Sequence, residues 1–136
     1  MGRFFKVKDK NDKSSNNSEA TKNTVDHRDF QVRDLYKKGV NYMSNDKLND
    51  AIRNFELALR LDPKFVDAWI KKGYAHFHLG DYSFAISSFD MALDIDPGNH
   101  EAWNLKGLAY YKMNNFVKAI ECCTKALDAN PSDGLV

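Results

Sequence analysis

From residue 32 onward the apolar positions fall at helical spacing, and they do so in pairs of segments. Tyr36, Gly39, Val40, Tyr42 and Met43 mark one face of a first helix; Leu48, Ala51, Ile52, Phe55, Ala58 and Leu59 mark one face of a second. The pattern then returns 34 residues later, and once more after that. Glycine stands at 39, 73 and 107, alanine at 51, 85 and 119 and again at 58, 92 and 126, and proline at 63, 97 and 131. An aromatic keeps the same step at Phe55 and Phe89. A fixed period of this length predicts a stacked array in which each unit buries its apolar face only against its neighbours. The units are 32–65, 66–99 and 100–133, each two helices long.

Turn chemistry supports that division. Asn45-Asp46, Gly80-Asp81 and Asn114-Asn115 sit between the two helices of each unit, and all are small residues that tolerate tight or left-handed backbone. Asp62-Pro63, Asp96-Pro97 and Asn130-Pro131 close the second helices, because proline drives the residue before it out of the helical region. A glycine inside a helix costs about 1 kcal/mol relative to alanine, so three in register imply close helix packing. We expect Gly39, Gly73 and Gly107 to face Ala51, Ala85 and Ala119 across each helix pair. Trp69, Trp103, Phe55 and Phe89 are expected to fill the space between successive helices.

Composition narrows the picture modestly. With 43% hydrophobic residues, the 136-residue chain can form one domain plus a tail. The net charge of +1 is unevenly placed: residues 1–28 carry seven Lys/Arg against four Asp/Glu, and 29–136 carry thirteen against fifteen. The repeat region is thus mildly acidic, which argues against a phosphate-backbone binder. No apolar run approaches 18 residues, so no membrane span is expected. The charged start has no apolar core behind it, and Lys6 stands where myristoylation wants Ser or Thr, so a cytoplasmic protein is the expectation.

The domain layout expected from this is a disordered tail over 1–28, a repeat domain over 29–133 and a short end at 134–136. Residues 9–24 are polar and poor in aromatics, as disordered segments are. Met1–Lys8 differ, with Phe4, Phe5 and Val7 set among Arg3, Lys6 and Lys8. The sequence ends at Ser132-Asp133-Gly134-Leu135-Val136, with no helix to cover the last repeat, so Val117, Ile120 and Leu127 should be open to self-association.

No constellation points to catalysis, a metal or a cofactor. Cys122 and Cys123 are adjacent, and helix neighbours point about 100° apart, which suits neither a shared metal nor a disulfide. Both read as reduced structural thiols, with Cys123 filling a small core position. His76 and His78 are two apart rather than at the i, i+4 ligand spacing; His76 reads as a hydrogen-bonded core histidine, His78 and His100 as exposed.

The repeat resembles the tetratricopeptide repeat (TPR) family, whose unit carries W, G, Y, A, F, A and P at fixed offsets. The middle unit shows Trp69, Gly73, Ala85, Phe89, Ala92 and Pro97, with His76 for the usual tyrosine. The third shows Trp103, Gly107, Tyr110, Ala119, Ala126 and Pro131, with Cys123 for the aromatic. The first has Leu35 for tryptophan but keeps Gly39, Tyr42, Ala51, Phe55, Ala58 and Pro63. The resemblance covers residues 32–133. It implies an all-α, right-handed solenoid of three helix-turn-helix repeats and a non-catalytic protein-interaction module.

The resemblance also implies where a partner sits. In TPR proteins the first helix of each repeat lines a concave face. Carried across, the lining is Arg33, Tyr36, Val40, Met43 and Ser44, then Asp67, Ile70, Tyr74, Phe77 and His78, then Glu101, Asn104, Leu108, Tyr111 and Lys112. The expected peptide-binding groove is its largely apolar part: Tyr36, Val40, Met43, Ile70, Tyr74, Phe77, Asn104, Leu108 and Tyr111. The basic clamp by which co-chaperone TPR domains hold an acidic tail would fall on Tyr36, Val40, Lys71, Glu101 and Leu105, and it is absent. The implied partner is therefore an apolar-anchored peptide or helix. The alternatives are self-assembly as a homo-dimer through the uncapped C-terminal helix and, more remotely, RNA binding of the helical-repeat kind.

Overall fold

A computed structural model describes residues 27–129 as six α-helices with no strand among them. They are α1 (27–44), α2 (Leu48–Leu61), α3 (Val66–His78), α4 (Tyr82–Ile95), α5 (His100–Lys112) and α6 (Phe116–Ala129). From α2 on each packs on the next in chain order, α1 meets α2 at Gly39 and Phe55, and α3 also touches α5 directly, whereas α2, α4 and α6 do not meet one another. The first helices of the repeats are thus drawn together on the inside of a curve and the second helices fan out on the outside. The three-repeat, all-α solenoid expected from the sequence is the fold. Residues 1–26 and 130–136, with Phe4, Phe5, Pro131 and the terminal Gly134-Leu135-Val136, lie outside the described residues.

The turns inside the repeats are built alike. Asp46, Gly80 and Asn114, each 34 residues apart, are the residues with positive φ, at 61°, 83° and 63°. In every case the amide three residues past the helix end reaches back across the last turn: Lys47 N–H donates to Tyr42 O, Asp81 to His76 O and Asn115 to Tyr110 O, at 2.8–2.9 Å. A second bond runs from the left-handed residue itself, Asp46 to Met43 O, Gly80 to Phe77 O and Asn114 to Tyr111 O. This double closure satisfies carbonyls that the helix end would leave unpaired, and it requires a residue at ease in the left-handed region.

Between repeats, proline and tryptophan act together. Trp69 Nε1–H donates to Pro63 O at 2.8 Å, and Trp103 Nε1–H donates to Pro97 O at 2.9 Å. The indole six residues on fastens the turn that the proline forces. Lys72 and Lys106 lie over the same two rings and pair with Glu56 and Asp90 of the preceding helix, at 3.6 and 2.6 Å. The first repeat lacks this device, having Asp29 at the proline register and Leu35 at that of tryptophan. Accordingly α1 is not stopped at register position 32; it already includes residues 27 and 28, inside the stretch expected to belong to the tail.

The glycines do a more specific job than facing alanines. A Cβ on Gly39 would lie 2.5 Å from Phe55 Cε1, and one on Gly73 2.5 Å from Phe89 Cε1. Phe55 and Phe89 are fully buried, so the missing side chain is what admits each phenyl ring into the helix pair. In the third repeat the ring is absent. A Cβ on Gly107 would approach the Ala119 carbonyl, Cys122 Cβ and Cys123 Sγ at 3.2 Å, a looser fit. One expectation is corrected here, that Cys123 fills a small core position. Cys122 is the buried thiol and Cys123 is exposed, because a sulfhydryl does not reach the volume a phenyl fills and no helix covers it among the described residues.

Candidate peptide-binding surface

The residues expected to line the concave face fall into three environments. Tyr74 on α3 and Asn104, Leu108 and Tyr111 on α5 are exposed. Tyr36, Val40, Met43 and Phe77 are half-buried. Ile70 is 2% exposed and belongs to the core, where it clusters with Ala92, Leu93 and Ala102 beneath Trp69 and Trp103. It is withdrawn from the lining. An aliphatic chain at that register is pulled into the inter-repeat seam, while the polar Asn104 at the same position of the next repeat stays out.

Aromatic contacts organise what remains. Tyr36 packs on Phe65 at 5.0 Å and on Phe55 at 5.8 Å, so its phenol forms a ledge where α1 meets the start of α3. Burial first, and then the Asp67 and Glu101 carboxylates, hold that phenol above its ordinary pKa. Two carboxylates, from the second and third repeats, thus act on it. Tyr74 meets His78 edge-on at 4.4 Å, and His78 in turn meets Phe77 at 5.6 Å. Tyr111 meets Phe116 at 5.5 Å. Phe65 and Phe116 are members the sequence reading missed. Neither lies on a first helix, and the signal available was only their register, with Leu48 and Tyr82 at the positions matching Phe116.

Two cavities divide the expected lining. One, of about 540 Å³, lies beside Tyr36 and Phe65 and is rimmed by Arg33, Lys37, Asp62 and Asp67. The other, of about 560 Å³, takes in Asn104, Leu108 and Tyr111 together with Ile120, Cys123 and Leu127 of α6. Tyr74 lines neither and stands on the helix between them. The last three groove residues thus belong as much to the open end of the stack as to its inner face.

His76 was expected to be a hydrogen-bonded core residue and is not. It is half-buried, stacks on Phe84 at 5.5 Å, and its Nδ1 is buried with no hydrogen-bond partner; the Asp81 carboxylate lies 3.8 Å away. Burial, followed by the charge of Lys72, lowers its pKa below the ordinary imidazole value, against a smaller opposing pull from Asp81. His78 and His100 are exposed, as expected. Among the described residues no cluster of His, Cys, Asp and Glu could hold a metal ion, and no helix is long and apolar enough to cross a membrane.

Comparison with known proteins agrees with this architecture. Family profiles described as "Tetratricopeptide repeat" match residues 36–100 and 100–133. No curated protein matches the chain. Among solved structures, a crystal structure of MamA superposes with a TM-score of 0.73 at 24% identity, over 78% of this chain and 62% of that one. The chain therefore spans under two thirds of the length of that structure. The first TPR of Spaghetti (RPAP3), bound to an HSP90 peptide, gives 0.72 at 21% identity over 74% of this chain and 80% of its own. The TPR2B domain–pHsp70 complex of yeast Sti1 gives 0.73 at 16% identity, over 76% and 82%. With its glycine–phenyl joints, its left-handed turns and its proline–tryptophan fasteners in one 34-residue register, the chain belongs to the tetratricopeptide repeat family.

Proposed function

We propose that this protein is a non-catalytic scaffold or adaptor that grips an apolar-anchored peptide or helix of a partner protein on its concave face. The observation that carries this reading is the exposure of Tyr74, Leu108 and Tyr111 on first helices. Aromatic and aliphatic anchors of this kind dominate peptide-in-groove interfaces, and tyrosine supplies contact area at low entropic cost. Tyr36, Val40, Met43, Phe77 and Asn104 complete the surface around them. Solved structures of similar fold, one bound to an HSP90 peptide and one in a pHsp70 complex, support a protein-interaction reading.

The ligand differs from an acidic chaperone tail. Where a basic clamp would stand, this chain has Tyr36, Val40, Lys71, Glu101 and Leu105. Glu101 is exposed on the Tyr36 side of the surface and would repel a terminal carboxylate. Pull-down with mass spectrometry identifies the partner, and titration calorimetry of its binding segment tests the reading. Wild-type binding that disappears in Leu108→Ala and Tyr111→Ala supports it; binding indifferent to both sinks it. The second reading, self-assembly as a homo-dimer through α6, has the exposed Val117, Ile120 and Leu127 in its favour. Light scattering over a concentration series separates the two.

A further inference from the structure

The repeat register shows which part of α6 is open. Ile86 and Leu93 on α4 are 9% and 7% exposed, whereas their counterparts Ile120 and Leu127 on α6 are 67% and 55% exposed. Cys123 stands open where Phe89 is fully buried, and Val117 is exposed beside them. Ile120, Cys123 and Leu127 form, with Leu108 and Tyr111 of α5, the apolar slot of about 560 Å³. Among the described residues no helix covers it.

The charges beside this apolar stripe alternate in sign. Lys118, Glu121, Lys125 and Asp128 are all exposed and lie within about 80° of one another around α6. Glu121 and Lys125 have the i, i+4 spacing that pairs charges within a helix. Yet among the described residues neither Glu121 nor Asp128 is in an ion pair. The two lysines instead lie over Tyr110 and Trp103, at 5.4 and 5.5 Å. A row of alternating charges, turned end for end, meets itself with every sign opposed. Lys118 and Asp128 are each five residues from Cys123, and Glu121 and Lys125 are each two. A two-fold axis at Cys123 therefore sets Lys118 opposite Asp128 of the other copy and Glu121 opposite Lys125, each twice. The same axis brings Ile120 within one residue of Leu127 of the other copy.

A second copy could also continue the stack head-to-tail, its α1 taking on α6 the place that α5 takes on α4. Asp34 would then fall in the register of Ala68 and Ala102, which are fully buried. Burying that carboxylate and its exposed ion pair with Lys38 opposes the contact. We propose that this protein forms a closed two-fold dimer through antiparallel α6 helices centred at Cys123, with Glu121 facing Lys125 and Lys118 facing Asp128 across the contact. The proposal rests on the self-assembly reading above, to which it gives a geometry, and does not depend on what the concave groove binds. Covering Val117, Ile120 and Leu127 removes on the order of a few hundred Å² per copy. That is the low end for a specific interface, so the dimer is weak and forms at roughly micromolar-to-millimolar concentration.

Charge exchange tests the contact in the intact protein. The readouts are light scattering over a concentration series and cross-linking of Cys123 by a short bismaleimide, with Cys123→Ser as the blank. Lys125→Glu alone opposes two acids at both symmetric positions, and Glu121→Lys alone opposes two lysines. Each should weaken association about tenfold at unchanged helicity. Mixed together, the two variants oppose unlike charges again, and the mixture should associate and cross-link as the unaltered protein does. Unaltered protein that stays monomeric to millimolar concentration overturns this dimer and the self-assembly reading together. Dimers that ignore both exchanges, that do not recover in the mixture or that fail to cross-link at Cys123 overturn the antiparallel contact alone. Growth beyond dimers overturns it too and assigns α6 to head-to-tail stacking.

Discussion

Gly73 and the ring of Phe89 occupy one joint: a Cβ on the glycine would stand 2.5 Å from Phe89 Cε1. The same joint recurs between Gly39 and Phe55, whereas Gly107 faces two cysteines at 3.2 Å. The three glycines should therefore differ in how they take a side chain. Gly73→Leu should destabilise by about 2–4 kcal/mol through overpacking. Gly73→Ala should also lose stability, while Gly107→Ala should be close to neutral, its mild crowding offset by up to about 1 kcal/mol of helix propensity. Thermal melts by circular dichroism give the order. Equal melting of Gly73→Ala and Gly107→Ala would contradict the joint described here.

The intra-repeat turns give a second set of outcomes. Gly80 has φ 83°, a conformation alanine adopts poorly, so Gly80→Ala should cost about 1 kcal/mol with no steric contact involved. Asp46 and Asn114 hold the same conformation with side chains, and glycine there should be neutral or slightly stabilising. Urea midpoints at constant slope are the measurement. A stable Gly80→Ala would mean the turn relaxes out of the left-handed region.

His76 should give the fold an acid-sensitive edge. Its folded pKa lies below the ordinary 6.5, chiefly through burial and then through Lys72. The unfolded chain therefore takes up this proton first as pH falls. The contribution to stability is complete above pH 6.5 and is lost as pH drops from there through the lower folded value. Phe or Tyr at this position has no such proton, so His76→Phe should flatten that part of the stability–pH curve. An unchanged slope in the variant would show that other groups set it.

Much of this was legible in the sequence because repeat architecture writes each constraint three times. Helix pairs, turns and the alanine core could be read from period alone, and the left-handed turn residues sit where small residues recur at 46, 80 and 114. What escaped was whatever depends on a neighbour rather than on register. Ile70 was taken for lining because its register faces inward in the resemblance, yet a branched aliphatic is drawn into the seam with Leu93. Register alone puts Cys123 in the core with Phe55 and Phe89, yet with no covering helix among the described residues the same position is open. Phe65 escaped because it caps a turn where Asn99 stands one repeat later. Phe65 is one of the two rings on which Tyr36 packs, the other being the core Phe55.

The proposed function rests on the inner face, with Tyr74 at its middle. It is exposed, meets His78 alone among the aromatic rings of the described residues, and stands between the two cavities at either end. Removing it should leave the core intact and weaken a partner segment about tenfold from a micromolar starting point. Since the contact is mainly apolar, moderate salt should change the affinity little. The direct measurement is calorimetric titration of the partner segment into wild-type protein and Tyr74→Ala, at low and moderate salt, with helicity checked in parallel. The account predicts a tenfold loss at unchanged helicity and a nearly salt-independent wild-type affinity. Normal binding by Tyr74→Ala, or a wild-type affinity that falls more than about tenfold with salt, would contradict the hydrophobic groove.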